Sequence, residues 1–325
     1  MQVARHGDTA LTARLSAALN ALWPGFADNS ELKLGLAVSG GPDSMAMLLL
    51  AHETLPGRIA AATVDHGLRT ESAGEAATVA EVCAALGVEH AVLAVTVAAG
   101  NVQSQARTAR YAALAEWAGE AGLAALATAH HTDDQAETLL LRLNRGSGVA
   151  GLAGVRARGR VPGTQLPLLR PLLGFRRDEL AGVVAAAAGI EAANDPSNQD
   201  DRFDRVRLRK ALGATDWLDV PALAASAAHL ADADAALDWA AQREWAECVA
   251  PAPMGLTYRP QAPRAVALRV IARIVRELDG EEPRGSAVAR VFDSLLARET
   301  ASIGALVARV TPEGWSFSKA PARRV

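Results

Sequence analysis

Apolar positions in the first two thirds of the chain follow two alternating patterns. Short, nearly continuous apolar runs predict buried strands, and longer segments with apolar residues every three or four positions predict helices. The predicted strands are 32–39, 58–64, 90–96 and 124–129, and the predicted helices are 11–23, 43–54, 71–86, 103–121, 133–144 and 176–188. This alternation predicts an α/β fold with a doubly wound, mostly parallel sheet.

The pattern changes after about residue 214, where strand-like runs stop. Residues 217–249 are alanine-rich and helical in pattern, and prolines at 251, 253, 260 and 263 then predict turns or a linker. Two more helices, 266–278 and 286–298, and a short hairpin of 302–309 with 314–318 complete the pattern. We therefore predict two domains, 1–214 with the parallel sheet and a smaller, mainly helical domain at 215–325.

Composition excludes several classes of protein. Half of the 325 residues are apolar and 21% are charged, which is typical of a globular protein. No uncharged span suits a bilayer and the N-terminus has no secretory core, so we expect a cytoplasmic protein without a membrane partner. Cys83 and Cys248 are far apart, which argues against a disulfide framework or a zinc cluster.

Charge is unevenly distributed. The net charge of −3 argues against a chain that is basic as a whole, but residues 142–177 contain eight arginines and no acid. A second basic cluster, 202–210, follows, and residues 261–325 hold eleven basic and seven acidic side chains. Clustered arginines favour phosphate contacts. The alternative is a set of solvated surface charges.

The sequence LGLAVSGGPDS at 34–44 carries the most specific chemistry. An apolar run ends in small residues and a helical segment follows at once, which predicts a strand, a tight loop and a helix. Glycines allow the backbone N–H groups to approach a ligand, and the helix N-terminus attracts anions. The loop therefore predicts a phosphate site, although no Walker lysine is present and an ordinary glycine-rich turn is the alternative.

Two further segments offer ligand contacts. VDHGLR at 64–69 follows a predicted strand, where backbone groups suit an adenine, although Asp65 or His66 could simply cap the next helix. Arg107 and Arg110 are three positions apart in a predicted helix and share a face. Paired guanidinium groups suit phosphate or carboxylate, and two exposed helix arginines are the alternative reading.

The third loop, TAHHTDDQAET at 128–138, runs from a strand into a helix and contains paired histidines and several acids. Asp134 and Glu137 share one helical face, where they would attract an ammonium group or act as a general base. His130 and His131 with an aspartate could alternatively hold a metal. A further alternative is a capped helix, with Thr132 as the cap, Gln135 as its capping-box partner and acids stabilising the N-terminus.

These motifs together resemble the tRNA(Ile)-lysidine synthetases of the PP-loop ATP pyrophosphatase superfamily. The resemblance covers about residues 30–210 and also includes LNRGSG at 143–148, GLAG at 151–154, RPLL at 170–173 and DPSN at 195–198. It implies a five-stranded, adenine nucleotide α-hydrolase-like sheet in a catalytic domain at 1–214, and a tRNA-binding domain at 215–325. It further implies that ATP, with magnesium, adenylates the carbonyl oxygen on C2 of the wobble cytidine in the CAU anticodon of tRNA(Ile). The amine of free lysine then attacks C2, and AMP leaves with that oxygen. AUA is then read instead of AUG.

The resemblance also implies roles for individual residues. ATP phosphates would contact Ser39, Gly40, Gly41, Asp43 and Ser44, with magnesium at Asp43, and adenine would contact Val64, Asp65 and His66. Catalysis would involve Asp43, Arg110, His131, Asp134 and Glu137. Substrate contacts would come from Arg107, Arg110, His131, Asp134, Glu137, Arg142, Arg205, Arg207 and Arg209. A homodimer would suit extensive tRNA contact.

Three other functions compete with this one. A tRNA thiolase of the same superfamily needs closely spaced cysteines, and a glutamine-dependent synthetase needs a nucleophilic cysteine; neither is evident. A nucleotide sensor would not need the acids of the third loop. Val206 stands where the family leads us to expect asparagine, and the C-terminal region is expected to be a short form, so tRNA discrimination could differ.

Overall fold

We analysed a computed structural model that describes residues 9–26, 29–65, 71–96, 102–187, 189–190, 192–193 and 200–320. The chain divides into two compact units, Met1–His229 and Leu230–Val325, and the division falls within one long helix, α9. Each unit has a sheet and a hydrophobic cluster of its own.

The first unit alternates strands and helices as the sequence predicts, with ends shifted by a few residues. Its helices are α1 (Thr9–Leu22), α2 (Pro42–Thr54), α3 (Glu71–Leu86), α4 (Val102–Glu120), α5 (Thr132–Leu143), α6 (Val149–Leu152), α7 (Arg177–Ala186), α8 (Asp204–Gly213) and the start of α9 (Val220–Cys248). Its strands are β1 (Leu34–Ala37), β2 (Ile59–Asp65), β3 (Glu89–Ala94), β4 (Ala125–Ala127), β5 (Arg158–Arg160) and β6 (Pro167–Leu169).

The sheet of this unit has the order β3-β2-β1-β4-β6-β5 among the described residues. Neighbours from β3 to β6 run parallel, and β5 pairs antiparallel with β6 at the edge. The mostly parallel fold is thus confirmed, but the expected count of five strands is wrong by one. The three-residue strands β5 and β6 are too short to give a periodic signal.

Helices cover both faces of this sheet. The largest cluster contains α1, α2, α3 and α7, and α2 is buried from Ser44 to Ala51. On the other face, Tyr111, Leu114 and Trp117 of α4 pack against the sheet. A Cβ at Gly35 would lie 2.6 Å from Leu126, so only glycine lets β1 and these side chains approach. No helix in the described ranges combines the length and apolarity needed to cross a membrane.

The second unit contains the helices that the sequence predicts and, in addition, a five-stranded sheet of which the sequence predicts only one hairpin. The end of α9, α10 (Arg264–Asp279) and α11 (Gly285–Leu296) accompany five antiparallel strands, β7 (Val249–Ala252), β8 (Gly255–Tyr258), β9 (Ala301–Ile303), β10 (Leu306–Thr311) and β11 (Gly314–Lys319), in the order β7-β8-β11-β10-β9. The predicted hairpin is present as β10 and β11. Pro251 lies in β7, an edge strand, where proline needs no ladder partner on one side, so the expected turn there was wrong.

Candidate active site

The predicted motifs follow the carboxyl ends of neighbouring strands. The loop at 38–41 follows β1, the residues from 128 follow β4, and Arg170 follows β6. Since β1, β4 and β6 are parallel neighbours, these segments meet at one edge of the sheet. In open α/β sheets this edge is where ligands bind.

The loop after β1 has the geometry of an anion cradle. Gly40 adopts φ +88°, which favours glycine, and Gly41 leads into α2, whose first position is Pro42. The Ser44 hydroxyl accepts a hydrogen bond from Ser39 N–H at 3.1 Å and donates to Gly41 C=O at 2.9 Å. These bonds hold the loop in shape while the N-terminus of α2 points its free N–H groups out of it.

Asp43 lies in the first turn of α2 with its side chain 32% exposed. Its Oδ2 lies 3.4 Å from His131 Nε2, and its Oδ1 is buried without a hydrogen-bond partner in the described part of the chain. A buried carboxylate oxygen normally has a partner. Magnesium is commonly held by one or two carboxylates and by phosphate oxygens, so Asp43 beside the phosphate loop fits such an ion.

His131 sits between three carboxylates and is almost fully buried, with 1% of its side chain exposed. Its Nε2 lies 3.4 Å from Asp43 and 3.6 Å from Asp134, and its Nδ1 lies 3.5 Å from Asp133. Burial alone lowers the pKa of His131, but Asp133, Asp43 and Asp134 outweigh burial and raise the pKa to about 9. His131 is therefore an imidazolium at neutral pH.

The adjacent histidine, His130, is neutral at neutral pH. Burial lowers the pKa of His130 to about 4; Asp134 opposes this shift, and Arg170, Arg107 and Arg205 add to it. His130 Nδ1 lies 3.0 Å from the Thr128 hydroxyl. Among the described residues, no group of three or more His, Cys, Asp and Glu side chains is arranged to hold a metal, so the structure does not support the alternative of a histidine metal site.

The capping of α5 differs from the one that the sequence suggests. His131, not Thr132, precedes the helix, and Asp134 accepts a hydrogen bond from His131 N–H at 3.2 Å. Thr132 instead donates to Leu173 C=O at 3.0 Å. Gln135 bonds both backbone groups of Val155, at 2.7 and 2.8 Å, and thereby holds the turn after α6.

Asp133 stabilises a second helix rather than only its own. It accepts hydrogen bonds from Arg177 N–H at 3.0 Å and from Arg176 Nε at 3.2 Å, at the start of α7. Burial tends to raise the pKa of Asp133, but His131 and these donors hold it well below its usual range. Asp133 is thus a carboxylate that ties α5, His131 and α7 together.

Glu137 is also buried and is held by three arginines. Its Oε1 accepts from Arg177 Nη2 at 2.9 Å and from Arg209 Nε at 3.0 Å, and its Oε2 lies 3.2 Å from Arg205 Nε. Only 1% of its side chain is exposed. Glu137 therefore faces guanidinium groups and joins α5 to α7 and α8.

The structure divides the arginines of α8 between two faces. Arg205 and Arg209 turn toward Glu137, whereas Arg207 is exposed and pairs with Asp204. Val206 is buried. Arg142 is exposed near the end of α5. Of the four arginines predicted to contact substrate from α5 and α8, the structure thus brings Arg205 and Arg209 to Glu137. Arg142 and Arg207 lie at the surface.

Arg107 and Arg110 meet at one aromatic ring. Their Cζ atoms lie 5.0 and 5.5 Å from the centroid of Tyr111, the buried tyrosine of α4. Arg170 interacts with the same tyrosine and is 7% exposed. From the sequence, Arg170 is predicted only as part of the RPLL motif, and the signal for a role of its own is its position directly after the short apolar segment 166–169.

The adenine segment is only partly described. Val64 and Asp65 end β2, and Asp65 C=O accepts a hydrogen bond from Val95 N–H at 2.9 Å. His66 lies outside the described residues, as does the DPSN motif at 195–198. Val64 and Asp65 stand at the strand edge that also carries the phosphate loop.

Comparison with known proteins gives a consistent result. Residues 11–215 match the model of the PP-loop domain family. A tRNA(Ile)-lysidine synthase of Novosphingobium aromaticivorans is 49% identical over 89% of this chain and 89% of that protein, and one of Zymomonas mobilis is 40% identical over 90% of each. The solved structure of the U34-tRNA thiolase NcsA from Methanococcus maripaludis aligns with a TM-score of 0.54 and 17% identity, over 68% of this chain and 78% of that one. The last likeness concerns the fold alone.

Proposed function

The chain belongs to the tRNA(Ile)-lysidine synthase family, and on this premise we propose that it ligates free L-lysine to C2 of the wobble cytidine in the CAU anticodon of tRNA(Ile). Membership makes it an enzyme of the ligase class with an ATP-using PP-loop domain. The proposed reaction passes through an adenylated cytidine, releases pyrophosphate and AMP, and changes codon reading from AUG to AUA.

In the first step, ATP phosphates would bind at Ser39, Gly40, Gly41 and Ser44. Main-chain N–H groups and the N-terminus of α2 favour the negative charge there. Asp43 would hold magnesium, which supplies positive charge to the leaving pyrophosphate when bound. The buried, unpartnered Oδ1 of Asp43 is the observation that supports this assignment. Val64, Asp65 and His66 remain our candidates for the adenine contact.

In the second step, the lysine amine must be neutral to attack, although the pKa of free lysine is near 10.4. Asp134 is half-buried beside His131 and would hold the ammonium group and then accept its proton. Because His131 is already cationic, it would orient carboxylates rather than act as the base. Glu137 would act in lysine use by holding Arg205 and Arg209 in place.

The RNA would present a splayed wobble base, as single-stranded loop bases often do in protein complexes. Arg107 and Arg110 would contact lysine, ATP or the target nucleotide, and Arg142 and Arg207 lie at the surface, where they would meet phosphates of the RNA. We further propose that domain 1–214 carries catalysis, that 215–325 binds tRNA, and that a homodimer forms. The cytoplasmic location stays a prediction.

Sulfur transfer is the rival reaction within this superfamily. Cys83 is buried in the core, where burial raises the pKa of its thiol to about 12, and Cys248 is buried in the second unit. The thiolate is the reactive form of cysteine, so a buried thiol with a raised pKa is a poor sulfur carrier. This observation favours ligation over thiolation.

The observation that carries the proposal is the adjacency of the phosphate loop, through Asp43, to the carboxylates around His131. The test is labelled-lysine incorporation into a tRNA(Ile) transcript with a CAU anticodon, with ATP and magnesium, and with the elongator methionine tRNA as control. We expect incorporation into the isoleucine tRNA alone, matched by AMP release. ATP binding without incorporation into either RNA would refute the proposal.

A further inference from the structure

Three guanidinium groups converge at the end of β6 without a carboxylate partner. Arg107, Arg110 and Arg170 all approach Tyr111. Within the part of the chain that the structure describes, none of the three forms an ion pair with an acid. The arginines around Glu137, by contrast, are paired with that carboxylate.

Arg170 is the buried member of this group. Its main-chain N–H donates to Ala157 C=O, and its Nη1 donates to Arg156 C=O at 2.6 Å. These hydrogen bonds hold the main chain of Arg170 and one guanidinium nitrogen against residues 156 and 157, which precede β5. Its Nε is buried and has no hydrogen-bond partner among the described residues. A buried charged donor without a partner is costly, so an external acceptor is expected.

The positive charges of this group act on one another and on a neighbouring histidine. Burial lowers the pKa of Arg170, and the neighbouring Arg107 lowers it further, while Tyr111 acts in the opposite direction. Burial lowers the pKa of His130, which follows the adjacent strand β4, and Arg170 and Arg107 lower it further. A cluster of this kind is stable when an anion binds, because a guanidinium offers paired N–H donors to carboxylate or phosphate oxygens.

We propose that Arg170, together with Arg107 and Arg110, forms a site for an oxyanion of a substrate at the carboxyl end of β6. This inference rests on the proposed function and adds Arg170 as a binding residue. The phosphate loop follows β1, which is two strands away and hence about 10 Å from β6. We therefore assign the oxyanion to a group other than the ATP phosphates of that loop, namely the carboxylate of the amino acid or a phosphate of the RNA.

The first test uses the complete enzyme with ATP, magnesium and tRNA, and compares wild type with R170Q, R170K and R160Q. Arg160 is an exposed arginine of β5 and serves as the matched control. If the oxyanion is the carboxylate, R170Q raises the KM for lysine about tenfold or more. It then also removes the preference for lysine over 1,5-diaminopentane, which lacks the carboxylate. R170K keeps the positive charge but lacks the paired N–H donors of a guanidinium, so its KM for lysine should lie between those of wild type and R170Q.

If the oxyanion is an RNA phosphate, R170Q raises the KM for tRNA and leaves the KM for lysine unchanged. This outcome supports the oxyanion site and identifies the RNA as the substrate that it binds. Unchanged KM values for lysine and tRNA overturn the proposal. A fall in kcat alone, equal in R170Q and R170K, also overturns it, since that pattern indicates a structural role.

A second test does not depend on the ligation reaction. With ATP saturating the phosphate loop, sulfate should raise the melting temperature of wild type and R160Q more than that of R170Q. Equal shifts in all three proteins overturn the site. If wild type incorporates no lysine but the sulfate difference remains, the proposed function fails and the oxyanion site stands.

Discussion

The candidate active site, at the carboxyl ends of the strands, has two halves that balance their charges in different ways. The acidic half, Asp43, Asp133 and Asp134 around His131, contains its own buried cation. The arginine half, Arg107, Arg110 and Arg170 around Tyr111, contains no acid that pairs with it in the described part of the chain. The first half is therefore held together by internal ion pairs, whereas the second half is the one that we propose binds an anion of a substrate.

The largest expected effect comes from Asp43, which links the acidic half to the phosphate loop. Asp43→Ala should lower AMP formation about a thousandfold or more, because a bound metal contributes several kcal/mol of charge stabilisation. AMP release with tRNA and lysine measures this. Glu53→Ala, at the other end of α2, is the control and should retain activity. Wild-type AMP yield from Asp43→Ala would refute the assignment of the phosphate loop.

His131 provides a pH test of the acidic half. Its folded-state pKa is raised from 6.5 to about 9, so its contribution to stability is complete below pH 6.5 and is lost as pH rises through 9. The free energy of unfolding should fall by up to about 3 kcal/mol over this interval. Urea unfolding at both ends of the range measures the change.

His131→Asn should remove this pH dependence, because asparagine does not titrate. The difference between wild type and variant isolates His131 from other groups that titrate in the same interval. An equal change with pH in both proteins would show that His131 is not the cation that holds the three carboxylates.

Glu137 tests whether the paired arginines matter for lysine use. Glu137→Ala should chiefly impair lysine use, and it should destabilise the fold by about 1–3 kcal/mol, less than a fully buried pair because its arginine partners are partly exposed. The KM for lysine and urea unfolding measure the two effects. Glu116→Ala, an exposed glutamate of α4, is the control. An unchanged KM for lysine would contradict this role.

The smallest expected effect is a loss of stability at Gln135, a residue of α5 that holds the backbone of Val155. Gln135→Ala removes two hydrogen bonds to Val155 and should cost about 1–2 kcal/mol of stability. Thermal unfolding of Gln135→Ala measures this loss of stability, and Gln242→Ala, at an exposed glutamine, is the control. A loss no greater than in the control would indicate that the turn after α6 is held by other contacts.

Local sequence predicted the parts of the site that depend on neighbouring residues. The phosphate loop and α2 were predictable because the small residues, proline and helix start are contiguous. The contacts of Glu137 were not, because Arg209 is 72 positions away and only the fold brings it to α5. The charge states of His130 and His131 depend likewise on burial and on distant partners.

The most direct measurement asks which substrate carries AMP. Wild type is incubated with tRNA(Ile), magnesium and ATP labelled in the α-phosphate, with lysine omitted. We predict that label transfers to the RNA, and that adding unlabelled lysine then releases it as AMP. Label found on lysine instead, when lysine and ATP are mixed without RNA, would contradict an adenylated cytidine.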